Sequence, residues 1–237
     1  MNARFATTQW SQVLAARDGT DTRAHEALTA LCETYWFPLY AYVRRTGHDP
    51  DDARDLTQAF FAYLLEKKVL EDAEPSAGRF RSFLLATLKH FVANEHRRDR
   101  ALKRGGDVQT VSLDAEEAER RFRYEPTAES TPEEAFEQRW AMAVLEQALS
   151  RLQSEWADTD RGEQFECLKP HLTGQEPRIP FKQVGARLRM SESSARGAMY
   201  RLRQRFGQLI REEVAETVAD PDQVDDEVRH LLGILGR

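Results

Sequence analysis

The chain is short of the features that mark most secreted proteins, membrane proteins and enzymes. Its two cysteines, Cys32 and Cys167, lie far apart and match no metal-ligand or redox spacing. That excludes a disulfide framework and points to buried thiols in a reducing cytoplasm. No apolar run reaches the length needed to span a bilayer. The opening MNARFATTQWSQVL is polar, without the apolar core of a secretory signal. A cytoplasmic location without membrane insertion is therefore expected. Strand-like alternation is also missing, and β-branched runs are rare.

Catalytic groupings are equally scarce. His25, His48, His90, His96, His171 and His230 form no H-E-x-x-H or paired Cys/His set. Gly105-Gly106 lacks the context of a phosphate loop, and Ser193-Ser194 lacks the flanks of a nucleophile elbow. Acidic pairs are abundant but fall on solvated faces, unsuited to general acid-base work. No enzymatic activity, cofactor or metal is expected.

What is present is patterned charge. The net charge of −6 over 237 residues hides two basic blocks. Residues 79–104 hold eight Lys or Arg against Glu95 and Asp99, and residues 181–211 hold eight against Glu192 alone. Acids gather instead in residues 114–137 and 212–227. One block alone would read as a solvated helical face; two suggest separate polyanion contacts.

Helical periodicity runs through almost the whole chain. A first helix is expected around Trp10, Val13 and Leu14, and a second over residues 22–45 with Leu31, Tyr35, Leu39 and Tyr42 inward and Pro38 as a kink point. Gly47-His48-Asp49-Pro50 reads as a turn and helix start. The next helix carries Ala53, Leu56, Phe60, Tyr63 and Leu64; after a break at 74–78, another carries Phe80, Phe83, Leu84, Leu88, Phe91 and Val92. A polar stretch follows, with partial helix expected at 115–123. Thr131-Pro132-Glu133-Glu134 then opens a helix through Trp140, Val144 and Leu152. A helix is also expected at 164–171, and a tail helix with Val224, Val228, Leu231, Leu232 and Leu235 on its apolar face.

Residues 181–205, FKQVGARLRMSESSARGAMYRLRQR, are the most informative. They read as a short helix, a tight turn and a basic second helix. Ser191 is a good N-cap. Ala195, Met199, Leu202 and Phe206 share one face, while Arg196, Arg201, Arg203 and Arg205 are cationic elsewhere on the helix. A helix packed on one side and basic on the other suits the major groove.

The order of these features resembles a bacterial sigma-70 family factor of the extracytoplasmic-function (ECF) type. Asp52-Ala53-Arg54-Asp55-Leu56-Thr57-Gln58-Ala59-Phe60-Phe61 is similar to region 2.2 of that family, usually D-A-x-D-L-x-Q-x-x-F. Gly78 to Leu84 and Asn94 to Arg98 are similar to regions 2.3 and 2.4, and residues 181–205 to region 4.2. The resemblance implies an all-α fold of two helical domains joined by a polar linker. It divides the chain into a region 2-like domain (1–104), an acidic linker (105–137), a region 4-like helix-turn-helix domain (138–212) and a C-terminal extension (213–237).

It further implies a transcription initiation factor with two partners, core RNA polymerase and promoter DNA. Asp52, Asp55, Gln58 and Phe61 would dock on the beta-prime subunit. Lys89, His90, Asn94, Arg97, Arg98, Lys103 and Arg104 would meet and help open the −10 element. Lys182, Ser191, Ser193, Ser194, Arg196, Arg201, Arg203 and Arg205 would serve the −35 element. Among these Arg196 suits a base edge, and Arg201, Arg203 and Arg205 suit phosphates.

The chain departs from the family pattern at Arg189, where glycine is frequent in the turn. It departs also at Ala198, where a basic residue is common, and at Thr57 and Ala59. An anti-sigma factor or a protein kinase is a further partner to consider, with Thr57 as a phosphorylation switch or as a plain helix-facing threonine. The acidic tail is expected to fold back on a basic domain. The competing reading is a helix-turn-helix regulator that does not dock on polymerase; the D-A-x-D-L-x-Q string and the basic 79–104 block weigh against it.

Overall fold

A computed structural model describes residues 34–66, 69, 79–101, 119, 122, 130–157, 161–174, 178–215, 217, 218 and 220–236. The first expected helix, Cys32 and most of the polar linker lie outside these residues. Everything regular among the described residues is helical. Helix α1 covers described residues 34–45, and Pro38 sits within it without ending it. Then come α2 (Pro50–Glu66), α3 (Phe80–Ala101), α4 (Pro132–Ala157), α5 (Gly162–Thr173), α6 (Phe181–Arg187) and α7 (Glu192–Ala215). A 3-10 turn, Pro221–Gln223, leads into α8 (Val224–Leu235).

The chain divides into two compact units, residues 1–143 with 215–237, and residues 144–214. Helix α4 contributes to both. The tail, set apart above as an extension, packs within the first unit.

Local sequence explains the helix starts. Asp49 Oδ1 accepts from the Asp52 amide at 2.9 Å, so Asp49 caps α2 with Pro50 in its first turn. Gly47 supplies the left-handed residue (φ 98°) that reverses the chain before it. At α4, the Thr131 hydroxyl accepts from the Glu134 amide at 3.2 Å and the Glu134 carboxylate accepts from the Thr131 amide at 2.9 Å, a reciprocal capping box.

In the first unit, α2 buries Ala53, Thr57, Phe60, Phe61 and Leu64, a continuous i, i+4, i+7, i+8, i+11 stripe. It packs on α3, with the Phe91 ring centroid 5.6 Å from that of Phe60 and 5.2 Å from that of Tyr63. Tail helix α8 differs from its expected orientation. Leu231 is buried, but so is Glu227, while Leu232 is 57% exposed and Leu235 is also exposed. The cause is an ion pair: Glu227 meets Arg79 Nε at 2.8 Å and also pairs with Arg81. Securing that carboxylate turns part of the apolar face outward.

The second unit has its own core. Leu152 and Trp156 of α4, Phe165 and Leu168 of α5, Val184 of α6, and Ala195, Met199, Leu202 and Leu209 of α7 pack together. Cys167 is buried there, and burial pushes its thiol above the usual value. Helix α5 ends at Gly174, whose left-handed φ of 77° lets its amide donate to Pro170 O at 3.1 Å.

Candidate polymerase and nucleic-acid interfaces

The first unit presents an acidic face and a basic helix. Asp51, Asp52 and Asp55 are exposed on α2. Arg54 pairs with Asp51 (3.3 Å) and Asp55 (3.2 Å), which leaves Asp52 and the outer side of Asp55 for a partner. Gln58 is half-buried beside this face. Phe61 does not belong to it: at 5% exposure it is a core residue. Its place on the Ala53–Thr57–Phe60 stripe explains this correction, because both adjacent phenylalanines fall within the buried arc. Thr57 is wholly buried and its Oγ1 donates to Ala53 O at 2.7 Å. A kinase reaches that hydroxyl only after local opening, so Thr57 is the plain helix-facing threonine in this conformation.

On α3, His90 and Asn94 are exposed. Lys89 is exposed too, but its Nζ lies 2.6 Å from Glu133. The hydrogen bond to Glu133 raises the Lys89 pKa, and its counterpart holds Glu133 below the usual carboxylate range. Arg97 and Arg98 lie on the α3 backbone; their side chains, and all of Lys103 and Arg104, fall outside the described residues. The tail meets Arg79, just before α3, and Arg81 in its first turn, about two turns before Lys89.

The second unit holds the helix-turn-helix. Ser191 caps α7 as expected: its Oγ accepts from the Ser194 amide at 3.1 Å and lies 2.9 and 2.8 Å from the Ser193 and Ser194 hydroxyls. Three exposed hydroxyls thus cluster where the helix end is positive. The turn is tight. A Cβ on Gly185 would come within 2.7 Å of Met190 O, and Arg189 takes a left-handed φ of 53°.

The basic residues of this unit separate into two kinds. Lys182 and Arg201 are exposed and have no hydrogen bond or ion pair among the described residues. Arg196 is 62% exposed but organised: its guanidinium lies 4.9 Å from the Phe181 ring centroid and donates to Glu192 at 2.7 Å. Arg203 is exposed and donates to His171 O at 3.4 Å. Arg205 is different. It donates to both Glu155 oxygens (2.8 and 2.6 Å) and to Glu212 (2.9 Å). The Glu155 hydrogen bond, chief among the causes, raises its pKa further. Its fork is spent on joining α4 to α7, so the expected phosphate contact is corrected to a packing role.

Two further positions alter the sequence reading. Ala198 is 1% exposed, so the basic residue frequent in the family would point into the core here. Tyr200 is 65% exposed, on the same outward side of α7 as Arg196 and Arg203. The periodicity that puts Met199 and Leu202 inside leaves Tyr200 outside, and that signal identifies it.

Among the described residues no helix is long and apolar enough to cross a membrane. A family model described as ECF sigma factor matches residues 41–195, more than half of the chain and a span that includes α2, α3 and α6. No curated protein and no solved structure matches it.

Proposed function

The chain belongs to the ECF sigma factor family and acts in transcription initiation, and on that premise we propose a residue-level division of labour. Asp52, Asp55 and Gln58 on α2 dock on the beta-prime subunit of core RNA polymerase, meeting cationic side chains of a partner helix. His90 and Asn94 on α3 touch the −10 element, with Lys89 joining them when it exchanges Glu133 for a phosphate. Arg97, Arg98, Lys103 and Arg104 add phosphate contacts from the end of that basic block.

Helix α7 enters the major groove at the −35 element. Ser191, Ser193 and Ser194 take phosphate oxygens at its positive end. Arg196 reads a base edge, and Tyr200 packs beside it against bases. Lys182, Arg201 and Arg203 hold the backbone. The single observation that carries this reading is the exposed Arg196, stacked on Phe181 and held by Glu192. It is a guanidinium set in place before DNA arrives, which lowers the ordering cost of binding.

Transcription from a random promoter library by core polymerase with this protein tests it. The wild type should select paired −35 and −10 sequences. Arg196→Ala should relax selection at one −35 position, by about 10-fold or more. Transcripts that start without any common upstream element would reject the reading. DNA binding without stimulation of polymerase would favour the helix-turn-helix regulator instead.

A further inference from the structure

A cleft of about 700 Å³ lies in the second unit, between the end of α4, the start of α5 and the middle of α7. Trp156, Arg161, Gln164, Arg201 and Arg205 line it. Arginine dominates this lining, and no acid contributes to it among the described residues.

The arginines differ in what they have left to give. Arg205 donates to Glu155 and Glu212, so its charge is already balanced. Arg161 and Arg201 are exposed, and neither has a hydrogen bond or ion pair among the described residues. The Arg161 guanidinium lies 6.0 Å from the Trp156 ring centroid. Trp156 is buried, so its ring is a fixed wall against which Arg161 lies. Gln164 Nε2 has only a 4.0 Å contact with Met190 Sδ, which leaves it a further donor. Arg201 lies about 140° around α7 from Arg196. The cleft therefore opens on a different flank of the helix from the Arg196–Phe181 stack.

Two uncompensated guanidinium groups in one cleft repel each other, and an anion between them relieves this. Each planar fork matches two oxygens of a phosphoryl group. The volume leaves room for more than one such group. We propose that this cleft binds a small ligand carrying two or more linked phosphates, such as the phosphate chain of a nucleotide, with Arg161 and Arg201 as its clamps. The DNA backbone is the other source of phosphate. It fits less well, because the cleft turns away from Arg196 and Arg161 lies outside the helix-turn-helix. Arg201 is also the backbone contact proposed above, so a bound polyphosphate withholds it from DNA. That consequence rests on the DNA reading; the site itself does not.

The probe is inorganic tripolyphosphate, titrated into the full-length protein by calorimetry at constant ionic strength. Saturable binding is expected, about 10-fold tighter than that of orthophosphate. Arg161→Ala and Arg201→Ala should each weaken it about 10-fold. Arg161→Lys, which keeps the charge and loses the fork, should weaken it about 3-fold. Arg187→Ala removes another exposed arginine of this unit, outside the cleft, and should leave it unchanged. Absence of saturable binding, or equal weakening by Arg187→Ala, would overturn the proposal, since only overall charge would then be at work.

A second arm uses a duplex selected from the promoter library. Tripolyphosphate should release it from the wild type and far less from Arg161→Ala. Equal release from both would reject the cleft as the cause. If Arg161→Ala weakens duplex binding and leaves tripolyphosphate binding intact, the cleft serves the DNA backbone and the proposal fails. Tripolyphosphate binding by a protein that selects no promoter would keep the cleft and reject the DNA reading alone.

Discussion

Glu227 of α8 is wholly buried against Arg81 of α3, which is itself 1% exposed. Arg81 also donates to Glu137 of α4 at 2.9 and 3.0 Å, and its guanidinium lies 4.2 Å from the Trp140 ring centroid. His230, one turn after Glu227, reaches Glu137 at 3.1 Å. Burial lowers the Arg81 pKa, the Glu137 carboxylate opposing this. The tail is thus a structural part of the first unit, held by a charge that cannot be left unpaired.

Glu227→Ala should therefore destabilise the protein by about 3 kcal/mol, because it strands Arg81 in an apolar setting with one acid instead of two. Urea unfolding reports this, with a lower midpoint for the domain whose Trp140 fluorescence changes. Leu232→Ala, on the exposed side of the same helix, should change the midpoint little. Equal effects from the two variants would mean that the tail is held by apolar contact rather than by the ion pair.

The turn of the helix-turn-helix carries two opposed constraints. Gly185→Ala forces a Cβ against Met190 O and should cost about 2 kcal/mol. Arg189→Gly removes a side chain from a left-handed backbone and should stabilise by about 1 kcal/mol. Thermal unfolding of the two variants should move in opposite directions.

Acid should loosen the second unit through Glu155. The Arg205 hydrogen bond, chief among the causes, holds this carboxyl below the usual range. A depressed carboxyl contributes stability that is complete above its unfolded pKa and is lost as pH falls through the folded one. The Glu155 side chain is 40% exposed to solvent, so screening limits the contribution to about 1 kcal/mol or less. Glu155→Gln should melt below the wild type at neutral pH. The gap should narrow progressively as the pH falls below about 4.3, the unfolded carboxyl value. A gap that stays constant across this window would contradict the assignment.

Thr57→Asp places a charge in the α2 core and should destabilise by about 3 kcal/mol or more. Thr57→Val, which keeps the shape, should cost about 1 kcal/mol through the lost bond to Ala53. If Thr57→Asp melts like the wild type, the residue is more accessible than its burial indicates, and modification there regains interest.

Much of this was legible in local sequence because it depends on local physics. The Ser191 cap, the Asp49-Pro50 start and the Ala195–Met199–Leu202 face each follow from residues within a few positions of one another. Phe61 was misplaced although its signal was present: together with Ala53, Thr57, Phe60 and Leu64 it completes a wide buried stripe. Arg205 and Glu227 were not legible, because their partners Glu155 and Arg81 lie far away in sequence and only packing brings them near. The linker reads as polar with partial helix at 115–123, but nothing local shows that Glu119 and Phe122 find specific partners on α1. Ala198 departs from the family's frequent basic residue, and only the orientation of the helix shows that this position faces the core.

The most direct measurement is co-elution of the full-length protein with core RNA polymerase on a sizing column, beside Asp52→Arg with Asp55→Arg. Both aspartates are exposed and play no part in the core, so the variant should fold normally. Co-elution of the wild type and its loss in the variant are the expected results. A folded wild type that does not co-elute, or a variant that co-elutes equally well, would contradict docking through the acidic face of α2.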